Sequence, residues 1–88
     1  MMKIYAVKEQ YTFESVTESR VTLFSTKEKA LRKFSAVVDH EKNHTWINEL
    51  SGVIEDVCDY EKGEYYAYLD GRSSEYCTEV TISEQEVY

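Results

Sequence analysis

Proline is absent from the sequence, and glycine occurs only three times in 88 residues. These residue types often mark linkers and loops, so their scarcity argues against a flexible linker. The chain also lacks an apolar run near the roughly 18 residues that a membrane-spanning helix needs. Its opening MMKIYAV leads into charged residues rather than a secretory signal. We expect one soluble, cytoplasmic domain over residues 1–88 with no membrane partner.

The positions of the three glycines exclude the common phosphate-binding motifs. With glycine only at 52, 63 and 71, neither G-x-x-x-x-G-K nor G-x-G-x-x-G can be written. A calcium loop of the EF-hand type with Gly63 at its sixth position would need an acidic residue where Cys58 stands. The acidic residues nearby therefore fit a solvated surface better than a calcium site.

Cysteine is scarce as well. Cys58 and Cys77 lie far apart and lack the spacing of a zinc knuckle, so in a reducing compartment we expect two free thiols, with a disulfide as the alternative. His40 and His44 could share a helix face and complete a Cys2His2 zinc site, although two cations at a helix C-terminus are the simpler interpretation. Nothing around the cysteines indicates an activated nucleophile. We expect no enzyme activity, no catalytic residue, no metal and no cofactor.

Basic residues are few in the second half of the chain. Residues 1–44 contain eight Lys/Arg and six Asp/Glu, whereas residues 45–88 contain two and eleven, and the whole chain has a net charge of −7. An acidic surface disfavours direct binding to nucleic acid and favours a basic protein partner. Four basic residues, Lys27, Lys29, Arg32 and Lys33, surround Glu28, and a solvated helix face explains them.

The segment Ser25–Lys42 carries the strongest helix signal. Its apolar residues recur at helical spacing and form one stripe, consisting of Ala30, Leu31, Phe34, Val37 and Val38. Ser25 followed by Glu28 has the spacing of a capping box, which predicts that the helix begins after Ser25.

Two strands are predicted before this helix, and a second helix after it. Residues 3–13 and 20–24 have β-forming patterns, and the polar residues 14–19 connect them into a hairpin. From Trp46 to Val57 the apolar residues again recur at helical spacing, which favours a second helix although Gly52 lies in its middle. The alternative is a short helix to Leu50 followed by a strand from Val53 to Cys58.

The C-terminal part predicts a second hairpin. Residues 65–69 and 76–82 read as strands, and Asp70-Gly71 suits a two-residue turn that would pair Tyr65 with Tyr76. Tyr66 and Tyr68 would then face outward, whereas a longer loop over residues 71–75 could change the register. The predicted fold is α+β, in the order β-β-α-(α)-β-β, with an antiparallel sheet of about four strands and one main helix packed on one face.

Tyrosines lie among carboxylates throughout this second hairpin. Tyrosine offers a large rigid surface with a polar tip, and neighbouring carboxylates can pair with Lys or Arg of a partner. The tyrosines could also serve simply as half-buried sheet residues. We predict a non-enzymatic protein that engages a basic protein surface through Tyr60, Glu61, Glu64, Tyr66, Tyr68, Asp70, Glu75 and Glu79. The alternative is a homo-oligomeric domain whose exposed edge or tyrosine face pairs with itself.

Three segments carry a resemblance to other proteins. The opening KIYAV, the helix entry FSTKEKA and the late YLDGR together resemble small proteins of phages, mobile elements and gut bacteria. In size and acidity the chain is similar to phage-encoded inhibitors of host defence, including anti-CRISPR proteins that occupy nucleic-acid-binding surfaces. This resemblance implies a decoy for nucleic-acid charge and brings no established active-site residue.

Overall fold

One antiparallel sheet and one long helix make up the fold. The computed structural model describes residues 2–87. Its elements are β1 (Met2–Phe13), β2 (Val16–Phe24), α1 (Lys27–His44), α2 (Trp46–Glu49), β3 (Val53–Asp59), β4 (Glu64–Leu69) and β5 (Tyr76–Val87). The five strands lie in the order β2-β1-β5-β4-β3, and every neighbouring pair is antiparallel. The predicted α+β class is confirmed, with five strands instead of about four.

The hydrophobic core lies between α1 and the sheet. Phe34 and Val38 of α1 pack with Val7 of β1, Tyr65 of β4 and Val80 of β5, and each of these side chains is at most 1% exposed. We call this side of the sheet the helical face. Because strand residues alternate between faces, the residues between these core positions form the other side. No helix or strand covers that side among residues 2–87, and we call it the open face.

The helix α1 begins at Lys27, one residue later than predicted, and ends at His44. Thr26, not Ser25, is the N-cap, and its hydroxyl oxygen accepts a hydrogen bond from the backbone N–H of Lys29 at 3.3 Å. The predicted capping box is therefore wrong, because Glu28 stands one position too early to serve a cap at Thr26. The predicted apolar stripe is buried at Ala30, Phe34, Val37 and Val38.

The preferred prediction of a second helix up to Val57 is wrong, and the alternative is the one observed. Helix α2 has only four residues, and Gly52 has a positive φ of 83°, which an α-helix does not accommodate. The following residues form β3, in which Val53, Ile54 and Val57 have the β-branched side chains that favour strands. The apolar spacing fitted a helix because short apolar runs are compatible with either element.

The predicted first hairpin is confirmed, but its turn is much tighter than expected. Glu14 and Ser15 have φ values of 51° and 70°, and the register runs without a break from Phe13–Val16 to Tyr5–Phe24. Two successive residues with positive φ form a turn whose twist matches that of the flanking strands. Strand β2 therefore starts at Val16, four residues before the predicted Arg20.

The predicted register of the second hairpin is wrong by four residues. Tyr65 pairs with Val80 instead of Tyr76, so residues 70–75 form a six-residue connection. Leu69 and Tyr76, at the two ends of this connection, both pack against Trp46. The shift is an even number of residues, so the predicted faces are retained, and Tyr66 and Tyr68 lie on the open face.

Candidate functional site

Two tyrosines of β4 lie side by side on the open face. The ring centroids of Tyr66 and Tyr68 are 5.5 Å apart, and the ring planes meet at 43°. In the sheet register Tyr66 lies between Val57 of β3 and Glu79 of β5, while Tyr68 lies between Ile54 and Cys77. Both rings are half-buried. The open face thus presents a pair of aromatic rings that no helix of the described chain covers.

Carboxylates border the tyrosine pair. Glu79 is the direct cross-strand neighbour of Tyr66, and Glu64 lies two residues before Tyr66 on the same face. Glu64, Tyr66 and Glu79 also line a shallow concavity of about 310 Å³, together with Val57 and Thr81. We call Glu64, Tyr66, Tyr68 and Glu79 the tyrosine–glutamate patch.

The surroundings of Tyr66 raise the pKa of its phenol. Burial raises the pKa of Tyr66, and the negative charge around it, including that of Glu79 and Asp56, raises it further. The patch therefore combines two aromatic rings with the exposed side chains of two glutamates. A cation can interact with the face of an aromatic ring and with a carboxylate at the same time. The side chains of Lys and Arg are the natural protein ligands for such a surface.

Four of the eight predicted site residues lie outside this patch. Tyr60, in the β3–β4 turn, points toward α1, where its hydroxyl donates a hydrogen bond to the Asp39 carboxylate at 3.1 Å. Its ring also packs edge-on against Phe34, with centroids 6.0 Å apart. Tyr60 therefore anchors the turn to the helix rather than facing a partner on the open face.

The other three residues outside the patch are carboxylates in turns. Glu61 is exposed in the β3–β4 turn, and Asp70 and Glu75 lie in the β4–β5 connection. Glu75 forms a 2.6 Å ion pair with Arg72. The structure thus brings together Glu64, Tyr66, Tyr68 and Glu79, and it separates Tyr60, Glu61, Asp70 and Glu75 from them.

A cluster around Lys42 on the helical face was missing from the sequence-based prediction. The Lys42 ammonium donates to the Cys58 sulfur at 3.2 Å and lies 3.6 Å from the Glu55 carboxylate. It also lies 5.4 Å from the ring centroids of both Tyr60 and Tyr65. Burial lowers the pKa of Lys42, but the contacts with Cys58, Glu55 and Tyr60 outweigh it and leave this pKa raised. These residues come from α1, β3, β4 and the β3–β4 turn, so no sequence spacing could indicate the cluster.

A buried carboxylate on β1 was also missed. Glu9 is 4% exposed; one of its oxygens accepts a hydrogen bond from the Tyr11 hydroxyl, and the other has no hydrogen-bond partner among residues 2–87. Burial, followed by the contact with Glu9, raises the pKa of Tyr11. Glu9 borders a groove between α1 and β2 that also includes Arg20 and Glu41. Glu9 shares a face of β1 with the buried Val7, which places its side chain on the inward side of the strand.

The two cysteines that a disulfide or a Cys2His2 zinc site would bring together lie apart in the structure. Cys58 lies on the helical face and Cys77 on the open face, and both are free thiols. The rings of His40 and His44 are 5.2 Å apart on α1. Among residues 2–87, no group of three or more His, Cys, Asp or Glu side chains could hold a metal ion.

Neither helix in the described part of the chain is long and apolar enough to cross a membrane. Comparison of the chain with protein-family models, curated proteins and solved structures finds no match. The geometry of the open face and the charge distribution are the features that indicate a functional site.

Proposed function

We propose that the chain is a non-enzymatic binding protein whose tyrosine–glutamate patch engages a basic surface of another protein. The observation that carries this proposal is the position of Tyr66 and Tyr68, side by side on an uncovered sheet face and bordered by Glu79 and Glu64. The exposed half of each ring is large, rigid surface that a partner can bury.

Charge favours a basic partner over other partners. The strands that form the patch belong to the half of the chain with eleven acidic and two basic residues. Such a field accelerates the approach of a positively charged protein and opposes nucleic acid. Proteins that bind nucleic acid carry extended basic surfaces, so we propose this class of partner, in keeping with the resemblance to inhibitors of host defence.

The mode of binding follows from the geometry of the patch. An Arg or Lys side chain lying over Tyr66 would place its charged end near Glu79, and a second basic residue could reach Tyr68 or Glu64. Each cation–π contact contributes about 0.5–2 kcal/mol, depending on how far it is desolvated. Several such contacts in one interface give an affinity that depends on both the rings and the salt concentration.

An NMR titration monitored through the backbone amide chemical shifts tests where a basic ligand binds. The probes are an Arg-rich peptide and a Glu-rich peptide of equal length. We expect only the Arg-rich peptide to shift resonances, with the largest changes at Tyr66, Tyr68 and Glu79. Replacing both rings by Tyr66→Leu and Tyr68→Leu should weaken binding about tenfold. Shifts confined to the turns, or equal binding by the double variant, would contradict the proposal.

A further inference from the structure

The two edges of the sheet differ in how well they resist pairing with another chain. At one edge, β3 has a register shift between Glu55 and Val57, and its carboxylates include Glu55, Asp56 and Asp59. Irregular and like-charged edge strands oppose edge-to-edge association, because the backbone ladder is interrupted and the charges repel. The β3 edge is therefore protected.

The β2 edge has none of these protections. All nine of its residues are in continuous register with β1, and it contains neither a bulge nor a proline. No other strand pairs with its outer side anywhere in residues 2–87. Val21 and Leu23 are 57% and 59% exposed. A regular edge of this length presents a row of backbone donors and acceptors to a further strand.

The only charged residues of β2 are Glu18 and Arg20, which lie two positions apart on the same face. Two antiparallel copies of β2 related by a two-fold axis at Ser19 would place Glu18 of each copy opposite Arg20 of the other. The same register sets Val16 opposite Thr22 and Thr17 opposite Val21. Opposite charges and pairs of β-branched residues are favourable cross-strand neighbours. The strand is self-complementary in this register.

Neighbouring registers lack this complementarity. Moving the axis to Glu18 or to Arg20 would set two like charges directly opposite each other. Moving it to Val21 would pair Arg20 with Thr22 and Glu18 with Phe24, so that neither charge faces a charged residue of the second copy. Side-chain alternation excludes the intermediate registers, because they would put the helical face of one copy beside the open face of the other. The charges therefore select the axis at Ser19.

We propose that the chain forms a two-fold symmetric dimer through β2, with the axis at Ser19, and that the two sheets join into one sheet of ten strands. The charge distribution supports this edge over the other. Strand β2 belongs to the half of the chain with eight basic and six acidic residues, whereas the acidic β3 edges lie at the two outer ends of the dimer. The dimer goes beyond the proposed function, since both tyrosine–glutamate patches remain uncovered in it.

The charge pair can be tested by exchange. We expect analytical ultracentrifugation of the wild-type chain to show a dimer. Glu18→Arg alone or Arg20→Glu alone should weaken dimerisation at least about tenfold, since each sets like charges opposite each other across the two-fold axis. The double variant Glu18→Arg/Arg20→Glu restores opposite charges and should restore the dimer. A wild-type monomer at all concentrations, or a double variant as weak as the single ones, would overturn the proposal.

A crosslink tests the register without altering either charge. In a Cys58→Ser/Cys77→Ser background, Ser19→Cys should give a disulfide-linked dimer on mild oxidation, because the two residues face each other. Val21→Cys is the matched control, since its two copies would lie about 13 Å apart, four residues along the strand, beyond the reach of a disulfide. A crosslink through position 21 and not through position 19 would refute the assigned register.

Discussion

Gly63 connects the β3–β4 turn to β5 at a position that tolerates no side chain. Its φ is 75°, and a Cβ built on it would lie 2.5 Å from the Cδ1 atom of Ile82. The contact is maintained by the backbone, because the Ile82 N–H donates to the Gly63 carbonyl at 2.9 Å. Gly71 has a similar φ of 73°, but it faces open space. Substitutions at the two glycines therefore distinguish the cost of backbone strain, present at both, from the cost of steric overlap, present only at Gly63.

We predict that Gly71→Ala lowers the free energy of unfolding by about 1 kcal/mol, the cost of a left-handed conformation for an L-residue. Gly63→Ala should cost about 3 kcal/mol, because overlap with Ile82 is added to the same strain. Urea denaturation of both variants measures the difference. Equal losses would show that β5 moves away from the turn without cost.

The half-buried carboxylate of Glu41 makes stability depend on pH. Burial is the largest effect and raises the pKa of Glu41. The Thr45 hydroxyl and His40 lower this pKa, whereas Glu9 raises it. The balance leaves the pKa above its ordinary value of 4.5. The folded chain thus binds this proton more tightly than the unfolded chain does. Ionised Glu41 costs stability above the folded-state pKa, and this cost is absent below the unfolded value.

We predict that Glu41→Gln raises the free energy of unfolding at pH 7 and that the gain disappears at about pH 3, where the wild-type carboxyl is protonated in both states. Denaturation of both chains at the two pH values tests this. A gain of the same size at both values would assign it to helix propensity instead of to ionisation.

At the level of elements, α1 could be predicted because its signal is local. Apolar spacing identified the residues that are buried, and the end of the helix lay within two residues of the prediction. The start was misplaced because Ser25 and Thr26 are both good caps, and the choice between them depends on the backbone as it leaves β2. Adjacent candidate caps are not distinguished by sequence spacing.

A pair of alanine substitutions measures which residue caps α1. Thr26→Ala should lower the free energy of unfolding by about 1 kcal/mol, because the N–H of Lys29 loses its acceptor. Ser25→Ala should change it by much less, since its hydroxyl does not serve as the cap. The opposite order would restore the capping box that was predicted at Ser25 and Glu28.

The second hairpin shows why faces are easier to predict than registers. Alternation has a period of two, so it assigned Tyr66 and Tyr68 to the open face whichever even shift applies. The register itself depends on Leu69 and Tyr76 packing against Trp46, a contact between distant parts of the chain. Tyr60 lies in a turn, where alternation gives no direction, so the sequence pattern could not show that it packs against α1.

At the scale of the whole molecule, the fold separates its charges and its surfaces. The sheet places β2 at one edge and the acidic β3 at the other, and both helices pack against one face only. The molecule is elongated, with principal extents of 45 × 21 × 18 Å. An open face and an unprotected edge are therefore both accessible, which allows the proposed partner and the proposed second copy to bind together.

Net charge alone would also attract a basic partner. Testing whether the tyrosine–glutamate patch binds it therefore requires two variants that lose the same number of charges, one inside the patch and one outside it. The double variants Glu64→Gln/Glu79→Gln and Glu61→Gln/Asp70→Asn each remove two carboxylates. The first pair belongs to the tyrosine–glutamate patch, and the second pair lies in the two turns beside it. Both variants should alter long-range attraction to a similar extent.

The most direct measurement is the affinity of the Arg-rich peptide for these two variants and the wild-type chain, by calorimetry at about 50 mM and about 300 mM salt. We predict that removing the patch carboxylates weakens binding about tenfold and reduces its salt dependence, while the turn variant stays within about twofold of wild type. Equal weakening by the two variants would show that net charge, and not the tyrosine–glutamate patch, attracts the partner.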